Sequence, residues 1–316
     1  ALVQKFCDSC IICKTNKSRR AREIGLLSQL GPATTPYEIM SLDSIGGFAG
    51  YGSPKKYLHL LEDHFSRHAF IHTSKTQQSK DFIKLLSPIF EKHHVKVLLV
   101  DQYSGLNSKQ LKHLCRKHNV VLLFTAVDCA SSQGMNERLN QTLVNRLRCK
   151  IRENPGKSWP VLATACTKEY NNTYHTSTKF PPSYLLFGTE SSLLPSELQK
   201  PRDLNADRLE AMKNALSQHL KNKEKVDKHK INYTFKEGDQ VLVETGNRLN
   251  RKKLDPIRTG PHKIIKKISS SIFEVARPRR KKQANFMHVS KLLPYTPLGG
   301  GDVKQNVVAV PQVGNT

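Results

Sequence analysis

The run Met40-Ser41-Leu42-Asp43-Ser44-Ile45 places one carboxylate inside a mostly apolar stretch whose length is typical of a buried strand. Burying a carboxylate is costly unless a cation or a salt bridge accompanies it. Asp101 closes a second strand-like run, Val97-Leu98-Leu99-Val100, and Glu137 lies at the start of a predicted helix. Two carboxylates on strands and one on a helix can converge on a pair of hard cations, an arrangement that suits in-line attack on a phosphodiester.

The pattern around these acids predicts a mixed sheet. Strand-like runs at 57–61 and 69–72 form an antiparallel meander with the Asp43 strand. Helical and strand-like segments then alternate: helix 77–92, strand 95–100, helix 108–118, strand 120–126 and helix 134–152. We therefore predict an α/β fold of the ribonuclease-H-like kind, a mixed five-stranded sheet with flanking helices.

The charge of the chain points to an anionic polymer as partner. Its 316 residues include 51 Lys+Arg against 26 Asp+Glu, a formal net charge of +25. That excess favours nucleic acid, and less strongly an anionic membrane surface. No stretch approaches the roughly 20 apolar residues of a membrane span. No signal peptide is visible and the chain begins at Ala1, so we interpret it as a fragment or a processed product. The seven cysteines form no regular framework, which indicates a reducing compartment.

Spacing alone would favour the interpretation that the three acids are unrelated surface residues. Three sequence motifs, present in the right order, argue against that interpretation. They are Asp43-Ser44-Ile45-Gly46-Gly47, Val100-Asp101-Gln102-Tyr103-Ser104-Gly105-Leu106 and Gln133-Gly134-Met135-Asn136-Glu137-Arg138-Leu139-Asn140. Together they resemble the motifs of retroviral-type integrases, most like those of gypsy-type LTR retrotransposons. The 35 residues from 102 to 136 are the spacing expected of that family's DDE triad. The match runs from Cys10 to about Tyr295.

The chain departs from the family pattern at a few positions. Cys129-Ala130-Ser131 stands where the family has His-Pro-Gln, and Gln133 stands for its Asn before Gly. These changes remove no metal ligand, but they can alter DNA contacts or rate. The Phe of the second motif is absent, and we predict that Leu106 substitutes for it in packing.

The resemblance implies a DNA integrase, a polynucleotidyl transferase with endonuclease activity. Asp43 would bridge two Mg²⁺ or Mn²⁺ ions, with Asp101 on one and Glu137 on the other. Attack by water would trim the 3′ ends of the element DNA, and the freed 3′-hydroxyl would join them to target DNA. Asn140 and Gln141, one turn beyond Glu137, are expected to reach the DNA end. The expected partners are double-stranded DNA and further copies of the chain in a homo-multimer, without a membrane, in the nucleus and a cytoplasmic pre-integration particle.

Cys10-Ile11-Ile12-Cys13 is a modest zinc signal with which redox and packing interpretations compete. In the family it is the second half of a His-His-Cys-Cys domain. No histidine precedes His59, so we predict a half site for Zn²⁺ that needs histidines upstream of residue 1. Cys7 also forms a CxxC with Cys10, but the family match favours Cys10 and Cys13. Other histidines are interpreted as solvated or strand-face residues, not metal ligands: His59, His64, His68, His93 and His94.

The region from Phe235 to Tyr295 has short strands and resembles the SH3-like C-terminal domain of the family. Its basic residues are expected to bind the DNA backbone without sequence preference: Arg248, Arg251, Lys252, Lys253, Lys263, Lys266, Lys267, Arg279, Arg280, Lys281 and Lys282. The last four can also serve nuclear import.

The predicted domain order follows from these matches. It is a partial zinc-binding domain at 1–25, a linker at 26–37, the catalytic core at 38–200, a helical linker at 201–233, the SH3-like DNA-binding domain at 234–296 and a disordered tail at 297–316.

Two alternatives stay open at this point. One is the integrase of a self-synthesising DNA transposon, whose triad would look the same. The other is a host-domesticated, integrase-derived DNA-binding protein with reduced or no catalysis. The intact Asp43, Asp101 and Glu137 argue against lost catalysis, whereas the altered loop at 129–133 leaves it open.

Overall fold

The computed structural model describes residues 10–17, 23–26, 32–101, 103, 105–124, 134–189, 202–244, 254–269, 271–276 and 286–295. The chain divides into two compact units. The core unit comprises Leu30–Thr125 and Ala130–Leu220, and the terminal unit comprises Ala1–Gln29, Ala126–Cys129 and Lys221–Thr316.

The helices and strands are numbered along the chain. The helices are α1 (Ile11–Asn16), α2 (Ser79–Lys92), α3 (Lys109–Lys117), α4 (Gly134–Glu153), α5 (Trp159–Asn171), α6 (Pro182–Phe187) and α7 (Leu204–Asp227). The strands are β1 (Glu23–Ile24), β2 (Ile39–Gly46), β3 (Tyr57–Asp63), β4 (Ala69–Ser74), β5 (Val97–Val100), β6 (Val121–Phe124), β7 (Lys230–Ile231), β8 (Gln240–Glu244), β9 (Arg258–Lys267), β10 (Ile272–Val275), β11 (Phe286–His288) and β12 (Leu292–Pro294).

The sheet of the core unit has the order β4-β3-β2-β5-β6. Strands β2, β3 and β4 pair antiparallel, whereas β5 runs parallel to both β2 and β6. Antiparallel neighbours need only tight turns, but parallel pairs need crossover helices, which the alternating pattern from residue 77 onwards supplies. The predicted mixed five-stranded α/β sheet with flanking helices is confirmed.

Two apolar clusters lie against this sheet. One contains buried residues of α2, α3 and β5, such as Phe82, Leu98 and Leu111. The other contains residues of α4, α5 and β3. Leu106 is 2% exposed in the first cluster, so its predicted packing role is confirmed.

The terminal unit is built on a second five-stranded sheet, antiparallel, with the order β11-β10-β9-β8-β12. Its apolar core includes Phe235, Ile264 and Phe273. Strand β1 pairs in parallel with β7, and Ile24 is buried at 2% exposure in the same core. Residues 23–24 therefore form a separate two-stranded sheet with β7, and Ile24 contributes to the core of the terminal unit. The predicted domain boundaries remain a prediction.

Helix α1 is also fastened within the terminal unit. The buried Arg258 donates from Nη1 to the carbonyl oxygens of Lys14, at 2.7 Å, and Lys17, at 2.9 Å. These carbonyls lie at the carboxyl end of α1, where backbone oxygens lack intrahelical partners. A guanidinium is well suited to that position because it also complements the negative end of the helix dipole.

The charged helix expected at 201–233 is α7. None of the helices in the described part of the chain is both long enough and apolar enough to cross a lipid bilayer.

Candidate active site

The two aspartates of the predicted triad stand side by side at one edge of the core sheet. The parallel register of β2 and β5 pairs Leu42 with Val100, so Asp43 and Asp101 follow at the carboxyl ends of adjacent strands. Asp43 is half-buried and Asp101 is exposed. Burial, and then the negative charge of Asp101, raise the pKa of the Asp43 carboxyl above its usual value. The predicted adjacency of these two residues is confirmed.

Two donors hold the Asp43 carboxylate in place. The backbone N–H of Ser44 donates to Oδ1 at 2.7 Å, and the Asn140 side chain donates from Nδ2 to Oδ2 at 2.6 Å. Both hydrogen bonds favour the ionised form and oppose the rise in its pKa. In this structure the Asn140 side chain is thus hydrogen-bonded to Asp43, whereas the Gln141 side chain is exposed. Contact of either residue with a DNA end remains a prediction.

Glu137 lies in the first turn of α4 and its side chain is exposed. Within the described residues, no group of three or more His, Cys, Asp or Glu side chains lies close enough together to hold a metal ion. The structure therefore brings Asp43 and Asp101 together but does not bring Glu137 into the same cluster. The neighbouring carboxylates still fit a hard divalent cation, because both offer oxygen ligands and they follow adjacent strands at the same edge of the sheet.

A close backbone approach shapes the loop that follows Asp101. A Cβ atom placed on Gly105 would lie 2.6 Å from the carbonyl oxygen of Gln77, closer than real Cβ atoms come to backbone. The N–H of Leu106 donates to the carbonyl of Tyr103 at 3.0 Å and closes the turn.

Sequence reasoning missed a buried polar chain beside the site. Ser41 Oγ donates to Asn136 Oδ1 at 2.6 Å, and His64 Nε2 lies 2.7 Å from the same Ser41 oxygen. The three residues are between 1% and 8% exposed. A signal for Asn136 existed, because the buried stripe of α4 at Leu139 and Leu143 reaches residue 136 when it is continued back by three residues.

The histidine interpretation needs a correction. His64 and His68 are 8% and 7% exposed, so the solvated reading is wrong for both. Burial lowers the pKa of His64 to about 3 and of His68 to about 4. His59, fully buried on β3, is a strand-face residue as interpreted. His64 contacts Ser41 of β2, and the ring of His68 packs against Phe70 and Phe187, so both side chains are removed from water.

Cys10 and Cys13 lie at the start of α1, in the terminal unit. A hydrogen bond from the backbone of Cys13 is the largest cause that lowers the pKa of the Cys10 thiol. A lowered thiol pKa favours the thiolate, the form that binds zinc. The described residues supply no further ligand beside this pair, so the half site remains a prediction.

The structure describes three of the basic residues predicted to bind DNA. Lys263, Lys266 and Lys267 are exposed on β9. The other eight lie outside the described residues: Arg248, Arg251, Lys252, Lys253, Arg279, Arg280, Lys281 and Lys282.

The fold of this chain is shared with a chain of known structure. A chain of a solved simian T-cell lymphotropic virus intasome, in complex with PP2A regulatory subunit B56 gamma, superimposes with a TM-score of 0.62. The match covers 94% of this chain and 91% of that chain at 14% identity, so it shows the shared fold.

Sequence relatives point the same way. The Transposon Tf2-3 and Tf2-4 polyproteins of Schizosaccharomyces pombe are each 27% identical to this chain over 315 residues. The matches cover 93% of this chain but only 23% of each polyprotein, so the chain spans about a quarter of these relatives. No family model matches the chain. Together these findings fit a retroviral-type integrase of the kind that LTR retrotransposons encode, and the resemblance stated from the sequence is confirmed.

Proposed function

We propose that this chain is the integrase of an LTR retrotransposon, a polynucleotidyl transferase that trims the 3′ ends of the element DNA and joins them to target DNA. The observation that carries the proposal is the pair Asp43 and Asp101 at the carboxyl ends of adjacent parallel strands. This pair lies in a fold shared with a retroviral intasome chain.

Asp43 and Asp101 would hold the divalent cations, Mg²⁺ or Mn²⁺, with Glu137 as the third ligand. When bound, such ions supply the Lewis acidity that activates an attacking oxygen and stabilises a leaving oxygen in phosphodiester chemistry. The chain's own contribution is to orient the Asp43 carboxylate. Ser44 N–H and Asn140 Nδ2 each occupy one oxygen of Asp43 and thereby fix the plane of the carboxylate.

The charge distribution supports DNA as the substrate. Lys263, Lys266 and Lys267 project from one strand of the terminal unit, in a chain with a net charge of +25. Lysine contacts to phosphates are sequence-independent, which suits an enzyme that must accept many target sequences. Action as a homo-multimer on paired DNA ends in the nucleus is part of the same proposal.

The competing functions are distinguishable. The relatives are retrotransposon polyproteins, which does not favour the integrase of a self-synthesising DNA transposon. A domesticated DNA-binding protein would bind DNA in a salt-sensitive manner without joining it.

Strand transfer of a labelled oligonucleotide into plasmid, in Mg²⁺ or Mn²⁺, tests the proposal. The parent chain should form joined products, and Asp101→Asn should reduce them by about 100-fold or more, since metal-ion catalysis contributes several kcal/mol. Glu91→Gln, which neutralises an exposed acid on α2, is the matched control and should join like the parent. Equal background from all three, with DNA binding retained, would favour the domesticated binder.

A further inference from the structure

The first turn of α4 is tied to β2 by two side-chain contacts one helical turn apart. Asn136 contacts Ser41 and Asn140 contacts Asp43. Four residues of helix rise by about 6 Å, and two residues of a strand by about 6.6 Å. Because these repeats nearly match, a helix lying along a strand can make both contacts at once. Glu137 lies on the helix between the two anchoring asparagines.

The contact at Ser41 has a defined direction. The Ser41 hydroxyl has a single proton, which it donates to Asn136 Oδ1 at 2.6 Å. It must therefore accept the hydrogen bond from His64 Nε2, 2.7 Å away, so His64 carries a proton on Nε2. Among the residues that the structure describes, Asn136 Nδ2 has no hydrogen-bond partner, so Ser41 is the polar group that holds this amide.

His64 is itself held firmly. Its backbone N–H donates to the carbonyl of Ile39 at 2.9 Å, at the start of β2. The hairpin around it is fixed by the buried Asp63, which accepts hydrogen bonds from the N–H of Tyr37 and from the N–H and hydroxyl of Ser66. A residue held by its backbone and surroundings can orient another side chain without losing much further freedom.

We propose that His64, Ser41 and Asn136 form a positioning chain that fixes the first turn of α4, which bears Glu137, against strand β2. The proposal rests on the proposed function, since it assigns Glu137 a role as metal ligand. His64, Ser41 and Asn136 are positioning residues, and each acts on Glu137 through helix α4. Residues that orient metal ligands in this way commonly change metal affinity or activity by about 10–100-fold when they are replaced.

A control variant is needed to separate the anchoring of α4 from the general cost of losing a buried serine hydroxyl. A buried Ser–His pair of the same chemistry exists elsewhere in the core unit: Ser74 Oγ lies 2.7 Å from His59 Nε2 and donates to the carbonyl of Thr76. Ser74 is 5% exposed and Ser41 2% exposed. Ser74 makes no hydrogen bond to α4 itself, although His59 Nδ1 lies 2.9 Å from Ser44 Oγ, next to Asp43. Ser74→Ala is therefore the matched control for the effect of Ser41→Ala on the amides of α4.

The test compares the full chain with Ser41→Ala, Ser41→Thr and Ser74→Ala. Hydrogen exchange of the amides of residues 134–143 should be faster by about fivefold in Ser41→Ala, the effect of one lost hydrogen bond. The Mn²⁺ concentration for half-maximal strand transfer should rise by about tenfold in Ser41→Ala. Ser74→Ala should leave the exchange of residues 134–143 unchanged, and Ser41→Thr, which keeps the hydroxyl, should restore both quantities.

The outcomes separate this proposal from the proposed function. Equal exchange at residues 134–143 in Ser41→Ala and Ser74→Ala would overturn the positioning chain, whatever the activity. A parent chain without strand transfer, together with faster exchange in Ser41→Ala, would reject the proposed function but support the anchoring of α4. Should Ser41→Ala fail to fold, Asn136→Leu removes the same hydrogen bond while keeping the branched side-chain skeleton, and the same readouts apply.

Discussion

Asn140 Nδ2 lies 2.6 Å from Asp43 Oδ2, and this hydrogen bond joins the helix that bears Glu137 to the strand that bears the first aspartate. Asn140 Oδ1 is buried and has no hydrogen-bond partner within the described residues. The Asn140 side chain therefore makes its hydrogen bond to the Asp43 carboxylate through Nδ2 alone. This relationship places the carboxylates of the candidate site on elements that are already tied to each other.

Asp43 should destabilise the fold at neutral pH. Burial and Asp101 raise its pKa in the native state above the unfolded value of about 3.9. The native state then binds the proton more tightly, so stability is lost as the pH rises through the native pKa. Asp43→Asn never ionises, so its melting temperature should exceed that of the parent at pH 7 to 8, and the difference should shrink as the pH falls towards 4.

Thermal unfolding across that pH range checks this prediction. Glu210→Gln, at an exposed carboxylate on α7, is the control and should follow the parent at every pH. A difference in melting temperature between Asp43→Asn and the parent that does not vary with pH would contradict the raised pKa of Asp43, since the difference would then not come from ionisation of this carboxyl.

Gly105→Ala should destabilise the core unit by about 1–3 kcal/mol through overpacking. The new methyl would lie 2.6 Å from the Gln77 carbonyl oxygen, and that oxygen is backbone that cannot move alone. Urea unfolding measures the cost. Gly156→Ala is the control, because a Cβ there meets nothing within 4 Å, and it should be neutral or slightly stabilising. Equal stability of the two variants would argue against close packing of the Asp101 loop.

Ile24→Ala should weaken the terminal unit by about 2–5 kcal/mol, because it empties a position in the core of the antiparallel sheet. Ile12→Ala, at a side chain that is 70% exposed, should cost no more than about 0.5 kcal/mol. Hydrogen exchange of the amides in β8 and β9 reports the loss. Unchanged protection in Ile24→Ala would mean that residues 23–24 are not part of that sheet's core.

Replacing Lys263, Lys266 and Lys267 together by Gln should weaken DNA binding for all sequences alike. If all three contact phosphates, the slope of log K against log salt should fall by roughly 2 to 3, about 0.9 for each contact. The control replaces the exposed Lys80, Lys84 and Lys92 of α2, which changes the net charge equally. An identical slope for both triple variants would remove β9 from the DNA-binding surface.

Hydrophobic periodicity predicted the core unit well because its signal is local. Leu139, Leu143 and Leu147 recur at one helical turn and all are buried at 2–3% exposure. The same reasoning passed over Asn136, since a polar residue at a core position breaks the apolar stripe. What holds Asn136 is Ser41, 95 residues away, and no local pattern shows such a partner.

The contribution of Ile24 was missed for a related reason. Strands β1 and β7 have two residues each and pair across more than 200 residues of sequence. Two-residue strands are too short for a periodic signal, so only the folded chain shows the pairing. The adjacency of Asp43 and Asp101, in contrast, came from the family resemblance, which supplied the strand order that spacing alone lacks.

Glu137 is the member of the triad that most directly tests the account, because the structure leaves it exposed and outside any cluster of ligands. Strand transfer of a labelled oligonucleotide into plasmid, in Mg²⁺ or Mn²⁺, should occur with the parent chain and vanish in Glu137→Gln. Glu153→Gln, the same change at an exposed residue of the same helix, should keep the parent's activity. Strand transfer that persists in Glu137→Gln at the level of Glu153→Gln would contradict the triad.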